Sequence, residues 1–179
     1  TAEEKGLLGS RYFSLHPTVP KADLVANINM DMFLPLFAMK SVMVLGLDES
    51  ELGDDIRAAA QGLGMTVQAD PEPQRNRFIR SDQYSFIREG VPALAMKVGY
   101  EEGSPEAKIA ADWTRERYHG PSDDLDQPID RAAAADFTKM IGDLCVRMAN
   151  RDGRPQWKDT SFFKRFARPV VTDVTAASR

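Results

Sequence analysis

The hydrophobic positions of the chain follow two periods, one of two residues that is typical of strands and one of three to four residues that is typical of helices. Residues 41–47, SVMVLGL, form an almost continuous apolar run, as in a strand buried on both faces. Residues 128–150 carry the longest helical stripe. Segments of the two kinds alternate along the sequence, and this order predicts an α/β domain of three layers.

Each predicted element has a range, and several have a terminal signal. The predicted strands are 24–32, 41–47, the start of 66–77 and 91–99, and the predicted helices are 3–15, 51–63, 81–90, 104–118 and 128–150. Ser104 and Pro105 are typical of the cap and first position of a helix, and Gly64 is typical of a helix end. Residues 151–179 lack a clear period and are basic in the middle. They are predicted to form an arm over the surface or over a partner, with mobile last residues.

Composition excludes several functional classes. The chain has 179 residues, enough for one domain with a sizeable core, and its net charge of −4 comes from intermixed acidic and basic residues. Without a basic face, it does not resemble a nucleic-acid-binding protein. No apolar run approaches the ~20 residues of a membrane span. The longest candidate, MFLPLFAM at 32–39, contains Pro35.

The single cysteine, Cys145, excludes an intramolecular disulfide and a thiolate metal cluster. It lies in the last predicted helix among Leu144, Val146 and Met148. This apolar setting predicts a buried, inert thiol.

Four polar features interrupt the apolar pattern and are candidates for chemistry. They are the Glu3–Glu4 pair, Asp31 near the end of a strand, the block RSDQ at 80–83 and the block RYHGPSDDLD at 117–126. In open α/β folds, the ends of strands and the loops that follow them form the site. Two carboxylates and an imidazole that converge from separate loops are a typical ligand set for zinc or a similar hydrolytic metal.

Each of these features also has a purely structural interpretation. The alternatives are a capping box between Thr1 and Glu4, a turn at Asp31, an ion pair between Arg80 and Asp82, and a loop cap at His119. The other histidine, His16, precedes Pro17 and is expected in a surface loop. Taken singly, none of the features decides between the two interpretations.

Taken together and in this order, four blocks resemble the later part of the catalytic domain of the M28 family of zinc-dependent aminopeptidases. The blocks are TAEEKGLLGSRYF, VANINMDM, RSDQYSFIREGVPAL and YHGPSDDLD, within residues 1–150. The resemblance is to the bacterial branch with broad or unassigned substrates, not to the glutamate carboxypeptidase branch. It implies a mixed β-sheet between helices, peptide substrates, and two zinc ions that share an aspartate and a water. Residues 151–179 would then be a C-terminal tail.

The resemblance also implies roles for the matching residues. The metal ligands would be Glu4, Asp31 and His119, the catalytic residues Glu3 and Tyr118, and the substrate-binding residues Arg80 and Asp82. Glu3 would be the general base that activates water, and Tyr118 would help to hold the oxyanion. Glu4 and His119 would bind one zinc, and Asp31 would bind the other.

The sequence departs from the family pattern in its ligands. The family has a histidine and the bridging aspartate in an HxD-type segment before the glutamate pair, and this chain begins at Thr1 without one. His16 follows the pair and is not a substitute. We therefore expect the chain to lack the first half of the domain, to hold zinc partially or not at all, and to be inactive alone. An exposed sheet edge would favour a homodimer or strand exchange.

Two further departures concern substrate preference. MFLPL follows Asp31 where a glycine-containing loop is common in the family, and Gln83 stands where a histidine is frequent. These changes bear on which peptides are preferred more than on the class of reaction.

The sequence therefore predicts zinc-dependent aminopeptidase activity in the intact parent protein, for which a periplasmic or secreted bacterial location is expected. The rival hypothesis is a non-catalytic α/β binding or assembly module that keeps the scaffold and uses the basic tail as a contact arm. A third hypothesis is an acyl or amide hydrolase of related architecture.

Overall fold

A mixed sheet of four strands forms the centre of the fold in the computed structural model, which describes residues 1–168. The strands are β1 (Asn27–Asn29), β2 (Ser41–Leu45), β3 (Thr66–Ala69) and β4 (Ala93–Val98), in the spatial order β1-β4-β2-β3. Strand β1 is parallel to β4, and β3 is parallel to β2, whereas β2 and β4 are antiparallel. The predicted α/β class with a mixed sheet is confirmed.

Helices flank the sheet. Within residues 1–168 they are α1 (Leu8–Leu15), α2 (Leu52–Gly62), α3 (Gln83–Arg88), α4 (Pro105–Glu116) and α5 (Arg131–Ala149). The predicted start of α4 is confirmed, because the Ser104 hydroxyl accepts a hydrogen bond from the Ala107 amide and Pro105 is the first helical residue. Helix α5 begins in the same way, with Asp130 accepting from the Ala133 amide.

The two faces of β4 pack against different layers, because successive side chains of a strand point to opposite faces. Leu94, Met96 and Val98 belong to the main core, which also contains α2 and α5 side chains such as Ile56 and Phe137. On the opposite face, Ala93 packs with Ile87 of α3 in a second cluster. The sheet therefore lies between α2 and α5 on one side and α3 on the other.

The first helix and the first strand are both shorter than predicted. Strand β1 covers only Asn27–Asn29 of the predicted range 24–32. Helix α1 begins at Leu8, not at residue 3, because Gly6 and Leu7 have φ angles of 97° and 59°, which no right-handed helix accommodates. Leu7 is the cap residue, and no side chain caps this helix. The capping box between Thr1 and Glu4 is therefore wrong.

The prediction of a buried Cys145 is also wrong, since the thiol is exposed on α5. The side chain of Leu144 is fully buried, and the next residue of a helix is rotated by about 100°. This rotation places Cys145 on the solvent side together with Val146, which is 60% exposed. Five residues of the predicted apolar stripe do face the core: Ala133, Phe137, Met140, Ile141 and Leu144.

The segment after α5 crosses the surface of this same domain as far as residue 168. Trp157 is buried and forms a bridge to Ser50, while Arg151 makes ion pairs with Glu51 and Asp55. The last predicted residues of the arm, 169–179, lie outside the described residues. Of the helices in residues 1–168, none combines the length and hydrophobicity that a bilayer crossing requires.

Truncation of Phe137 to alanine should destabilise the domain severely. Its side chain is 1% exposed, and its ring stacks on Phe33 with the centroids 4.6 Å apart. Loss of a fully buried aromatic ring leaves a cavity, so we expect the free energy of unfolding to fall by about 3–5 kcal/mol. Urea unfolding followed by circular dichroism measures the change.

The matched control is Val146→Ala on the same helix, because that side chain is largely exposed. It should change the free energy of unfolding by no more than about 0.5 kcal/mol. Equal effects of the two substitutions would contradict the placement of α5 against the sheet.

Candidate metal centre

A cleft of about 970 Å³ opens beside the sheet and contains most of the polar residues singled out from the sequence. Its lining includes Glu3, Glu4, Asp31, Arg80, Tyr118 and His119. Phe33, which stacks on the buried Phe137, forms part of the wall. The hydrophobic core therefore supports one side of the cleft directly.

The two glutamates lie in a hydrogen-bonded turn before α1. The Glu3 carbonyl accepts hydrogen bonds from the amides of Gly6 and Leu7, at 3.0 and 2.8 Å. The Thr1 carbonyl accepts from the amide of Gly9 at 2.9 Å and so ties the turn to the first residues of the helix. The positive φ angles that delay the helix thus create the turn that carries both carboxylates.

Glu4 and His119 come into direct contact across the cleft. The Nε2 atom of His119 lies 2.8 Å from the Oε1 atom of Glu4, and both side chains are more than half exposed. The ring of Tyr118 stacks on the His119 ring with the centroids 3.9 Å apart. The structure therefore brings Glu4 to the adjacent pair Tyr118 and His119, which lies more than 100 residues further along the sequence.

The loop that carries His119 is held by a network of hydrogen bonds. Gln127 accepts from the Trp113 indole at 2.8 Å and donates to the carbonyls of Ser122 and Asp124. His119 itself has a φ angle of 59°, a left-handed conformation that is uncommon outside glycine. Its backbone amide donates to Asp123 at 3.3 Å. Asp123 thus holds the backbone of His119 and contributes to the shape of this loop.

Asp31 follows the end of β1 and is held by the segment before α3. The Ser81 hydroxyl donates to Asp31 Oδ2 at 3.0 Å and accepts from the Asn29 amide group at 3.2 Å. Asn29 also donates to the buried side chain of Gln83. The loop after Asp31 keeps left-handed backbone at Met32 and Leu34, with φ angles of 54° and 49°, although such angles favour glycine.

Burial and nearby carboxylates raise the pKa values of two predicted catalytic residues. Partial burial raises the pKa of Glu3 above its ordinary value, and the charges of Glu4 and Asp31 raise it further. Burial likewise raises the pKa of the Tyr118 hydroxyl, with added contributions from the same two carboxylates. At neutral pH the phenol is therefore fully protonated and can donate a hydrogen bond.

The two residues assigned to substrate binding occupy different positions. Arg80 is exposed and lines the cleft, whereas Asp82 lines a neighbouring groove with Ser10 and Asn27. Among residues 1–168 the structure contains no ion pair between Arg80 and Asp82. The structure thus does not bring Asp82 into the cleft.

The residues of the cleft match part of a zinc site. A carboxylate oxygen and an imidazole nitrogen in contact are suitable zinc donors, as at Glu4 and His119. Within residues 1–168, however, no three histidine, cysteine, aspartate or glutamate side chains converge closely enough to hold a metal ion. The chemistry of the donors fits zinc, and their number is short of the three or four that zinc sites use.

Sequence reasoning missed two residues of the cleft. Ser81 lies inside the quoted RSDQ block, yet its role in holding Asp31 depends on the packing of two distant segments. Lys97 is the one charged residue of a strand that is otherwise buried. A lone lysine within the apolar run VPALAMKVG is a signal that the sequence does contain.

The fold and the cleft together are those of an α/β protein with a polar site beside a mixed sheet. The family model of peptidase family M28 matches residues 1–145, and the chain belongs to this family of metallopeptidases. Comparison with curated proteins gave no match, and comparison with solved structures gave none either.

Replacement of Glu3 by glutamine should stabilise the metal-free protein at neutral pH. The folded-state pKa of Glu3 is raised, so folding favours its protonated form and is opposed by its ionised form. The gain in melting temperature should be absent below the unfolded-state pKa of about 4.3. It should appear as the pH rises toward the folded-state pKa and stay constant above it.

Melting temperatures of Glu3→Gln and of the control Glu102→Gln, measured from pH 3 to 8 after chelator treatment, test this linkage. Glu102 is exposed and lies outside the cleft. A gain for Glu3→Gln that is independent of pH would contradict the electrostatic origin of the shift.

Proposed function

We propose that the intact protein hydrolyses the N-terminal peptide bond of peptides in this cleft with the help of zinc. The observation that carries the proposal is the contact between Glu4 and His119, with Nε2 and Oε1 2.8 Å apart, in a chain of peptidase family M28. Glu3 directly precedes Glu4 in the sequence and lines the same cleft. A carboxylate base beside a carboxylate–imidazole pair is the arrangement that metal-assisted amide hydrolysis requires.

In this proposal Glu4 and His119 hold one zinc ion, and Asp31 contributes to the site of a second. Zinc, when bound, supplies Lewis acidity and lowers the pKa of a bound water. Because residues 1–168 gather no group of three donors, the proposal requires further donors from outside the described residues. We expect this chain by itself to be inactive for the same reason.

The other residues of the cleft have roles that their own chemistry supports. Glu3, with its raised pKa, accepts a proton from water and returns it to the leaving amine. Tyr118, whose hydroxyl stays protonated at neutral pH, donates a hydrogen bond to the oxygen of the scissile carbonyl as negative charge develops there. Arg80 at the cleft contacts the substrate. Asp82 would reach a substrate only through the neighbouring groove.

The acidic side of the cleft supports the choice of the amino end of the peptide. Burial raises the pKa of Glu3, and the negative charges of Glu4 and Asp31 raise it further, so the potential on this side of the cleft is negative. A peptide ammonium group is attracted by such a cluster, and a peptide carboxylate placed at the same position would be repelled.

One observation favours a second candidate, a non-catalytic binding or assembly module that keeps this scaffold. That observation is the absence, within residues 1–168, of a converging group of three metal donors. In such a module Glu3 has no task, and the basic tail after residue 151 would be the contact arm. An acyl or amide hydrolase acting on a substrate other than a peptide would need the same donors as the peptidase.

Zinc content tests the metal assignment. In the intact parent protein we expect bound zinc after purification without chelators, because Glu4 and His119 are suitable donors in contact. The double variant Glu4→Ala, His119→Ala should lose the metal, as measured by elemental analysis. The double variant Glu102→Ala, His16→Ala removes one exposed glutamate and one exposed histidine outside the cleft and should keep it. Absence of zinc from the wild type would favour the binding module.

Turnover of the intact parent protein tests the role of Glu3. In the peptidase, Glu3→Gln removes the general base and should lower kcat by about 10²–10⁴-fold while the zinc content stays unchanged. In the binding module the same substitution should leave any activity of the parent unaltered. Release of the N-terminal residue from a chromogenic aminoacyl anilide, followed together with elemental analysis, separates the two functions.

A further inference from the structure

Lys97 places an ammonium group at the floor of the cleft. It lies on β4 opposite Met43 of β2, and its side chain is half-buried. Because strand residues alternate, it points to the same face as Ala93 and Ala95, away from the main core. The two alanines are small, and Ala95 also lines the cleft. The lysine is thus the one long side chain that β4 directs into this space.

The ammonium of Lys97 makes no hydrogen bond and no ion pair within residues 1–168. The neighbouring arginines are already occupied: Arg77 pairs with Asp70 and Glu72, and Arg75 pairs with Glu72. Asp31, a carboxylate of the acidic side, accepts from the Ser81 hydroxyl. Lys97 therefore has no direct charge partner within residues 1–168, although it lies near groups that are paired with one another.

This arrangement opposes the charged form of the lysine. Burial lowers the pKa of Lys97 from its ordinary value, and the positive charge of Arg77 lowers it further, against smaller opposite contributions from Asp31 and Asp70. A half-buried charge without a partner destabilises a folded protein. The ammonium has no hydrogen-bond or ion-pair partner within residues 1–168, and it lines an open cleft in which a ligand could supply one.

We propose that Lys97 binds a carboxylate group of the peptide substrate and gives the cleft a preference for peptides that carry one near the scissile bond. The proposal takes the peptide class of the ligand from the proposed function. The carboxylate comes either from an acidic side chain or from the C-terminus of a short peptide. Arg80, which also lines the cleft and has no ion pair within residues 1–168, adds a second positive charge toward the exposed side.

The cleft has negative charge on one side and positive charge at its floor, and these charges would orient a bound peptide. The acidic side, with Glu3, Glu4 and Asp31, attracts the peptide ammonium, and the floor with Lys97 attracts a carboxylate. A dipolar substrate therefore meets a matching charge at each end. One compact ammonium suits one carboxylate, which it binds as a point charge.

Peptide binding measured by calorimetry tests the proposal in the chain carrying Glu3→Gln, so that hydrolysis does not consume the ligand. The probes are alanyl-glutamate amide against alanyl-glutamine amide, and alanyl-alanine against its C-terminal amide. We expect at least one charged probe to bind about tenfold more tightly than its neutral partner, as a charge-assisted hydrogen bond provides. The first pair reports an acidic side chain and the second pair a C-terminal carboxylate.

The preference should disappear in Lys97→Met and remain in Lys139→Met, a control on the exposed face of α5. Thermal unfolding separates binding from structure, since removal of an unpaired ammonium should leave the melting temperature unchanged or raise it. A large fall in melting temperature in both Lys97→Met and Lys97→Gln would show that Lys97 is structural and would overturn the proposal. Lys97→Gln, which keeps a polar side chain, serves in place of Lys97→Met if the latter fails to fold.

Equal binding of charged and neutral probes, or no binding of any probe, would also overturn the proposal. The outcome is independent of zinc content and of turnover. A Lys97-dependent preference in a chain that binds no zinc would support the subsite while the peptidase function fails. Zinc-dependent hydrolysis without a charge preference would support the peptidase while the subsite fails.

Discussion

Burial of β4 on both faces is the constraint on which the cleft depends. The strand pairs with β1 on one side and β2 on the other, so every second side chain must fit the core formed with α2 and α5. Leu94, Met96 and Val98 occupy those positions and are at most 3% exposed. The alternation then leaves Ala95 and Lys97 to face the cleft. The core thus fixes the floor of the site as a consequence of its own packing.

Two loops complete the site, and neither has regular secondary structure. The turn with Glu3 and Glu4 is closed by its own backbone hydrogen bonds, and the loop with His119 is held by Gln127 and Asp123. The left-handed backbone of His119 costs about 1–3 kcal/mol, which the surrounding hydrogen bonds offset. Strain of this kind is retained where a side chain must be held in one position, and here that side chain meets Glu4.

The periodic elements were predictable from the sequence, because burial alone determines them. The ranges of β2, α2 and α5 agree with the predicted ones to within a few residues. The start of α1 was not predictable from periodicity, since Leu7 and Leu8 have helical spacing while the backbone at Gly6 and Leu7 is left-handed. The burial of Cys145 was predicted wrongly, because residues that are neighbours in the sequence do not share one face of a helix.

The site was predictable as a set of residue types and not as a geometry. The sequence contains Glu4 and His119, but their contact depends on how two loops fold together. All four strands lie between these loops in the sequence. Asp82 shows the limit most clearly: it adjoins Ser81 in the sequence, yet the two side chains lie toward different grooves. The groove that each side chain enters depends on the direction of its Cα–Cβ bond, and the sequence motif does not specify that direction.

The clustered carboxylates of the cleft link the binding of cations to the stability of the fold. Burial raises the pKa of Glu3 and the charges of Glu4 and Asp31 raise it further, so the folded state without a cation contains an unfavourable electrostatic interaction. A positive charge that binds between these carboxylates removes the unfavourable interaction in the folded state. In the unfolded chain the carboxylates are not clustered, so the same charge has no site there. Binding must therefore stabilise the fold. The same argument applies with opposite sign at Lys97, where an anion would relieve the cost of an unpaired ammonium. A ligand with one group of each sign would relieve both, and the cleft is organised to favour such a ligand.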